Sequence, residues 1–435
     1  MPLNNQSIAK KQFSCITEKR KGDLTMMKDL TGPRKSRIAV GGTLCLDMMP
    51  EPPPGINADN LGSLVEPGSL HIFGPLIAAT GGAVANVGIA LDKLGFSARL
   101  IAEVGNDWLG QATMEILRGH AGSNTELLKH VGVNTTPGIG SSYSTVGCVP
   151  AVDRWFHHNP GPAKLFDVSK IPFADLAEDT LIFHLGYPPL MEKMWQNNGH
   201  GLEAVFYYAR QHGIITSLDM AYPHPTSPAA KANWREIYRK VLPHVGIFLP
   251  SFDEIFLTLQ PNLTEDKRQE IIQQGLGPIL SSLASELISL GTPIVVIKCG
   301  QEGLYLCTTN DQKTMAEAGW GNVIDLTEWV GVETFVPSFK VKVNGTTGAG
   351  DATIAGWLGT MSMGQGPHWT AKIAAATGAS CVECLNATDG IKPYGEIGQR
   401  INGWELNHES QVNLGNDWTW DEKAKAWFGP NHKAH

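Results

Sequence analysis

The chain has 435 residues, a formal net charge of -8 and 42% hydrophobic residues, which is enough for a large core in one big domain or two smaller ones. An acidic surface argues against nucleic acid as a partner, because phosphates require basic groups. No apolar run approaches the length that spans a bilayer, and the polar N-terminus lacks the apolar stretch of a secretory signal. The cysteines are scattered and odd in number, so we expect no disulfide framework and a reducing, cytoplasmic location.

Residues 1–36 carry many Lys and Arg and show no hydrophobic period, which predicts a basic, mobile N-terminal extension. Strands and helices alternate after that point. The predicted strands are RIAVGG, ARLIAEVG, TLIFHLG, IITSLDM, VGIFLP and TPIVVIKCG. The predicted helices are ATGGAVANVGIALDKLG, DWLGQATMEILRGHAG, GLEAVFYYARQHG and DEIFLTL. This alternation predicts an α/β fold with a mostly parallel sheet that helices cover on both faces.

Two stretches interrupt this rhythm inside a main domain that we place at residues 37–400. Residues 48–75 are rich in Pro and Gly, and residues 139–162 resemble two short strands with no helix between them. We expect both stretches to form a small β lid at the strand ends. The tail, 401–435, contains Trp404, Trp418, Trp420 and Trp427. Such an aromatic tail is expected to pack on the body or on a partner.

The most informative segment is FKVKVNGTTGAGDATIAGWLGTM. FKVKV is predicted to be a strand and ATIAGWLGTM a helix, so that the loop TTGAGD lies at the carboxyl end of a strand, where parallel sheets bind ligands. Gly348, Ala349 and Gly350 let backbone amides turn toward an anion at the start of the helix. Asp351 would then be placed to accept a proton from a hydroxyl that attacks a phosphate. The alternative is a glycine-rich turn in which Asp351 only caps the helix.

Two other nucleotide motifs are excluded. The sequence contains no Gly-Lys pair and therefore no Walker A loop. Thr353 stands where the dinucleotide fingerprint needs Gly or Ala.

Two further signals precede this loop. In TGGAVANVGIALDKLG, Gly82 precedes a helix and Asn86 lies in its first turns, which suits a polyhydroxylated ligand approaching the backbone closely. The alternative is a helix entry with a polar residue facing solvent. Asp47 follows the first predicted strand in GGTLCLD, beside the expected lid.

In this order, the three elements resemble the PfkB carbohydrate kinase family, which has the ribokinase-like fold, and the resemblance runs from about residue 37 to 400. It implies a three-layer sandwich with a small β lid and ATP-dependent phosphorylation of a hydroxyl on a sugar or sugar-like molecule. By this resemblance Asp351 is the general base and 348–350 form the anion hole. Asp47, Gly82 and Asn86 bind the sugar.

Other segments extend the resemblance. FLPSFDE is similar to the family's P-N-x-x-E, which implies that Glu254 helps to hold Mg²⁺. KCGQEG is similar to its nucleotide-side turn and implies ATP contacts at Lys298, Gly300 and Gly303. DRWFHHNPGP is similar to the family's lid stretch, and because lids in this family often pair between subunits, a homodimer through the lid is one expectation.

The chain departs from the family pattern at two positions. Gly345 replaces the first Asp of D-T-x-G-A-G-D, which in relatives bears on a monovalent-cation site, so potassium activation is left open. Ser251 replaces the Asn of N-x-x-E. These departures keep a second hypothesis open: a degenerate member that binds sugar or nucleotide in a structural or regulatory role without catalysis. The sequence does not identify the sugar.

Overall fold

The computed structural model describes residues 37–149, 152, 154–260, 266–267, 270, 273, 275–407 and 412–433. The extension predicted for residues 1–36 lies outside these residues. Across the described ranges, no helix is both long and apolar enough to cross a membrane.

Fifteen strands occur in the described residues, eleven of them in one main sheet. In chain order they are β1 Arg37–Gly42, β2 Cys45–Pro50, β3 Leu76–Gly81, β4 Ala98–Gly105, β5 His130–Asn134, β6 Tyr143–Gly147, β7 Trp155–Asn159, β8 Thr180–Gly186, β9 Ile215–Leu218, β10 Ile247–Phe248, β11 Ile294–Lys298, β12 Gly303–Thr308, β13 Glu333–Pro337, β14 Thr419–Asp421 and β15 Ala426–Phe428. The main sheet has the order β14-β15-β13-β12-β11-β10-β9-β8-β1-β4-β5. The strands from β11 to β5 are parallel, and the four at the other end are antiparallel.

Helices cover both faces of this sheet. They are α1 Gly82–Leu94, α2 Trp108–Ala121, α3 Phe173–Asp179, α4 Glu192–Gln211, α5 Trp234–Val241, α6 Phe252–Leu259, α7 Leu276–Ser289, α8 Gln312–Glu317, α9 Leu326–Trp329, α10 Ala349–Ser362, α11 Pro367–Val382 and α12 Tyr394–Arg400. Successive strand residues enter opposite cores. Ile182 belongs to the core that includes residues of α1, α10 and α11, whereas Phe183 contacts Phe206 of α4 in the other core. This is the period-two alternation of a strand buried on both faces, and it confirms the predicted layered α/β fold.

The predicted strands and helices that lead into the site are confirmed, with one exception. FKVKV alternates apolar and charged residues, as a strand does, but the structure has only an isolated bridge between Phe339 and Leu406 in this stretch. The last strand before the glycine loop is β13, which is antiparallel to its neighbour β12. The prediction of a parallel strand ending directly at TTGAGD was therefore wrong, because no strand of the described residues pairs with residues 340–343.

A second, four-stranded sheet has the order β3-β2-β6-β7. Its strands come from the two stretches that interrupt the alternation and from their borders. β2 pairs antiparallel with β3 and parallel with β6, and β6 pairs antiparallel with β7. Neither stretch enters the main sheet in the described residues, because their strands find partners in each other.

The Trp-rich tail packs on the body. β15 pairs with β13, and β14 pairs with β15, so the tail extends the main sheet by two strands. Trp418 is buried in the core on one face. The buried carboxylate of Glu333 accepts hydrogen bonds from the Tyr305 hydroxyl (2.8 Å) and from the Asn431 amide (2.7 Å), which fixes the tail to the sheet.

Candidate active site

The glycine loop leads into α10, and Asp351 is the third residue of that helix. Gly348 is the N-cap and has φ 77°, a left-handed conformation that favours glycine. A Cβ at Gly348 would also lie 2.4 Å from the Cβ of Ala387. Because Gly348 holds the cap position and Asp351 is 3% exposed inside the first turn, the hypothesis that Asp351 is a simple N-cap was wrong.

Two hydrogen bonds converge on one oxygen of Asp351. Asn86 Nδ2 donates to Asp351 Oδ2 over 2.9 Å, and the Tyr187 hydroxyl donates to the same oxygen over 2.6 Å. The other oxygen, Asp351 Oδ1, is buried and has no hydrogen-bond partner among the described residues, and the same holds for Asn86 Oδ1. Asn86 is buried, so the alternative hypothesis, in which this residue faces solvent at a helix entry, was wrong.

Burial raises the pKa of Asp351 above the usual carboxyl value, although the hydrogen bonds from Tyr187 and Asn86 and the charge of Lys298 favour the ionised form. Burial, together with the charge of Asp351, raises the pKa of Tyr187 well above its ordinary value. Tyr187 therefore remains a protonated donor, and Asp351 is a carboxylate with enhanced affinity for a proton.

A buried ion pair lies beside the loop. Lys298, at the end of β11, places its ammonium 2.6 Å from Asp219 Oδ1, and a Cβ on Gly350 would lie 3.7 Å from the same nitrogen. Burial would lower the pKa of Lys298, but the carboxylates of Asp219, Glu254 and Asp351 raise it above the ordinary lysine value. The lysine is therefore a fixed cation at the start of α10.

Two adjoining clefts meet at this point, of about 570 and 560 Å³. The first cleft is lined by several charged and polar side chains, including Tyr187, Asp219, Glu254, Lys298 and Asp351, and by Gly348 and Ala349 of the glycine loop. The second cleft is mostly apolar, with Gly303, Leu304, Phe339, Val341, Ala375 and Val382 among its lining residues. Lys298, Gly300 and Gly350 line both clefts.

Glu254 lies in the first turn of α6 and lines the first cleft. Its Oε2 accepts from the Ser251 amide over 2.6 Å, and the Ser251 hydroxyl accepts in turn from the Glu254 amide over 3.3 Å. This reciprocal capping box fixes the carboxylate at the edge of the cleft. Ser251, which stands where the family pattern has Asn, therefore still caps the helix. No group of three or more potential metal-binding side chains occurs in the described residues.

Asp47 follows β1, as predicted from the sequence, and lies in β2 of the small sheet. Its Oδ1 is 3.3 Å from the Cys45 thiol, its cross-strand neighbours are Ala79 and Ser144, and burial raises its pKa. Gly82 has φ 83°, and a Cβ there would lie 2.5 Å from the Thr43 carbonyl oxygen. Asn86 bonds to Asp351, whereas Asp47 bonds within the small sheet.

Part of the chain matches a known protein family. Residues 196–393 match the family model described as pfkB family carbohydrate kinase. The predicted resemblance to the PfkB family is thereby confirmed over these residues.

Relatives and solved structures agree with this resemblance. The probable fructokinase-6 of Arabidopsis thaliana, a chloroplastic protein, is 28% identical over 287 residues, which span 65% of this chain and 62% of that relative. A putative ribokinase II from E. coli, in complex with ATP and Mg²⁺, matches at a TM-score of 0.60 and 18% identity, covering 85% of this chain and 99% of that one. A fructokinase double mutant from Vibrio cholerae, in a fructose-, ADP- and potassium-bound form, matches at a TM-score of 0.56 and 17% identity, covering 85% and 99%. The solved structures confirm the ribokinase-like fold.

Two polar residues that bond to predicted site residues were not themselves among the predicted site residues. Tyr187 follows β8 directly, and Asp219 follows β9, so both stand at carboxyl ends of parallel strands. That position was visible in TLIFHLGY and IITSLD, and it is where parallel sheets carry ligand-binding groups. Their partners, Asp351 and Lys298, lie 164 and 79 residues further along the chain, which spacing could not predict.

Proposed function

We propose that this protein catalyses ATP-dependent phosphorylation of a hydroxyl on a sugar or sugar-like small molecule, with Asp351 as the general base. The observation that carries the proposal is the buried Asp351 carboxylate, one oxygen of which has no partner in the described residues, beside glycine-loop amides at the start of α10. A helix start with a fixed lysine attracts phosphate, and a carboxylate of raised pKa accepts a proton.

In the proposed reaction, the attacking hydroxyl gives its proton to Asp351 and its oxygen forms the new bond to the γ-phosphorus of ATP. The bond from that phosphorus to the bridging oxygen breaks, and its electron pair leaves with ADP. The amides of 348–350 and the ammonium of Lys298 would stabilise the negative charge on the transferring group. Atoms and charge therefore balance without a further reactant.

The two clefts fit the two ends of ATP. In the first cleft, Lys298 and the glycine-loop amides at 348–350 suit the phosphates, and the apolar second cleft, which Gly300 and Gly303 border, suits a nucleobase. Glu254 would hold Mg²⁺ together with phosphate oxygens, since Mg²⁺ in such sites needs only one or two protein carboxylates. When bound, the ion neutralises phosphate charge.

On the substrate side, we assign Asp47, Gly82 and Asn86 to the sugar and the four-stranded sheet to the lid. Asp47 and Asn86 are buried polar groups. Asn86 Oδ1 is a hydrogen-bond acceptor that receives no hydrogen bond within the described part of the chain. Sugar hydroxyls would provide the missing donors.

Asn86→Ala is expected to weaken apparent sugar affinity by about ten- to hundredfold, because a buried polar contact is lost. Nucleotide affinity should hardly change. The measurement is a titration of each ligand. Asn134→Ala is a matched control, since Asn134 is also buried and donates to a carboxylate, Glu103 Oε2, over 3.0 Å. Equal losses of sugar and nucleotide affinity in the Asn86 variant would assign that residue a structural role.

A coupled ADP-release assay over a panel of sugars and nucleosides tests the proposed activity. Release that depends on one class of acceptor supports the kinase and identifies its substrate. Absence of acceptor-dependent release across the panel, with nucleotide binding retained, would favour the degenerate, non-catalytic member instead.

We also propose that activity does not depend on a monovalent cation. A Cβ at Gly345 would lie 2.8 Å from the carbonyl oxygens of Cys384 and Leu385 and 2.6 Å from Arg154 Nη2, so the carboxylate-bearing side chain of relatives does not fit here. Arg154 Nη2 donates to the Leu385 carbonyl over 3.1 Å. A guanidinium thus supplies a permanent positive charge among these carbonyl oxygens.

Turnover is accordingly expected to be the same in potassium and in tetramethylammonium buffers of equal ionic strength. Arg154→Ala should lower turnover, whereas Arg118→Ala, which removes an exposed guanidinium on α2, should not. A several-fold rise of wild-type turnover on adding potassium would contradict the proposal.

The homodimer through the lid and the cytoplasmic location stay predictions. Leu76, Ile77 and Phe156 are exposed apolar residues of the small sheet, as a lid-to-lid contact requires. The cysteines of the described residues are free thiols, which suits a reducing compartment.

A further inference from the structure

Tyr187 is held in one position by the elements around it. It follows β8 and has φ 61° and ψ 44°, a left-handed conformation that is uncommon for a residue with a side chain. Two buried prolines, Pro188 and Pro189, follow it directly and restrict the backbone. Such a conformation persists where the surrounding structure enforces it, and it often marks a functional site.

The end of β8 also packs closely against the start of α1. A Cβ at Gly186 would lie 2.2 Å from the Cβ of Ala83, so only glycine allows this approach. The contact brings Tyr187 and Asn86 to the same side of Asp351. As a result the phenol and the amide both reach Asp351 Oδ2, although the two residues belong to different elements.

The two carboxylate oxygens of Asp351 therefore differ. Oδ2 accepts two hydrogen bonds, one of them from a phenol that burial keeps protonated. Oδ1 is equally buried and lacks a partner in the part of the chain that the structure describes. A carboxylate oxygen with two donors has little remaining basicity, whereas an oxygen without a donor retains it.

We propose that Tyr187 is a positioning residue: it fixes Asp351 through Oδ2, so that Oδ1 is the oxygen that takes the substrate's proton, and it keeps the base ionised at lower pH. This inference rests on the proposed function, because it assumes that Asp351 is the general base. A hydrogen bond to the ionised form lowers a carboxyl pKa, so loss of the phenol raises the pKa of Asp351. Activity that needs the ionised base is then lost at a higher pH than in the parent.

The test compares Tyr187→Phe with Tyr305→Phe. Both changes remove a buried phenol that donates to a carboxylate, and Tyr305 donates to Glu333, outside both clefts. In Tyr187→Phe we expect the acidic limb of the turnover profile to move to higher pH and turnover to fall by about ten- to hundredfold. KM for the nucleotide should change little. Tyr305→Phe should lower the melting temperature without moving the limb.

A second measurement does not need turnover. The side-chain carboxyl of Asp351 is titrated by NMR on protein that carries ¹³C-labelled aspartate. Its resonance is assigned as the one that is absent from the spectrum of the Asp351→Asn variant. Its pKa should be higher in Tyr187→Phe than in the parent. An unchanged titration and an unchanged acidic limb would make Tyr187 merely structural and overturn the inference. If the parent phosphorylates no acceptor, the proposed function fails, and the titration still decides the role of Tyr187.

Discussion

Asp351→Asn is expected to lower turnover by about two to four orders of magnitude, the usual range for loss of a general base. The amide keeps the size of the carboxylate and can still accept the hydrogen bonds from Asn86 and Tyr187. It cannot take the proton from the attacking hydroxyl. ATP should still bind, because the change removes a negative charge beside the phosphates.

Asp107→Asn is the matched control for this variant. Asp107 also stands at a helix start, where its Oδ1 accepts from the Gly110 amide over 2.8 Å at the N-terminus of α2. Asparagine caps helices about as well as aspartate, so this control should keep its turnover. Its melting temperature should fall somewhat, because Asp107 Oδ2 also accepts from the Ser141 amide over 2.7 Å and an asparagine side chain has only one acceptor oxygen. Near-normal turnover of Asp351→Asn would remove Asp351 from the mechanism.

Lys298→Met is expected to have the largest effect on stability. Asp219 is 1% exposed, and its carboxylate forms an ion pair with Lys298 at 2.6 Å. Removing the lysine leaves a buried carboxylate without its cation, which typically costs about 3–5 kcal/mol of unfolding free energy. The variant should also bind ATP more weakly, because Lys298 lines both clefts. Urea unfolding and nucleotide calorimetry measure the two effects.

A double variant separates the two roles of the lysine. Lys298→Met combined with Asp219→Asn removes both charges and should recover much of the lost stability, yet nucleotide affinity should stay low. Lys170→Met serves as control, since its ion pair with Glu103 at 2.9 Å is more exposed and should contribute at most about 1 kcal/mol. A Lys298 variant as stable as the parent would show that Asp219 does not need its cation.

Local signals in the sequence predicted the layers of the fold and several site residues. Continuous apolar runs identified β1, β4, β8 and β11, and the turn chemistry around 348–350 identified the start of α10. These features depend on neighbours within a few residues, so the sequence carries them directly.

Contacts between distant segments could not be predicted. Asn86 and Asp351 are 265 residues apart, and the sequence predicted each as a site residue without predicting their hydrogen bond. The wrong strand at FKVKV has the same cause. Phe339, Val341 and Val343 alternate with lysines, but a strand also needs a partner along its edge, and the tail strand β15 pairs with β13 instead. Pairing is a property of the whole chain, whereas alternation is local.

The tail hairpin also changes how the main sheet ends. Without it, β13 would present a five-residue edge whose unpaired amides and carbonyls could recruit a strand from another molecule. β15 covers that edge, and the new outermost strand, β14, has only three residues. A short edge offers little template for aggregation. The aromatic tail thus protects the sheet from intermolecular pairing. A variant that lacks β14 and β15 would expose the edge of β13 and should aggregate more readily.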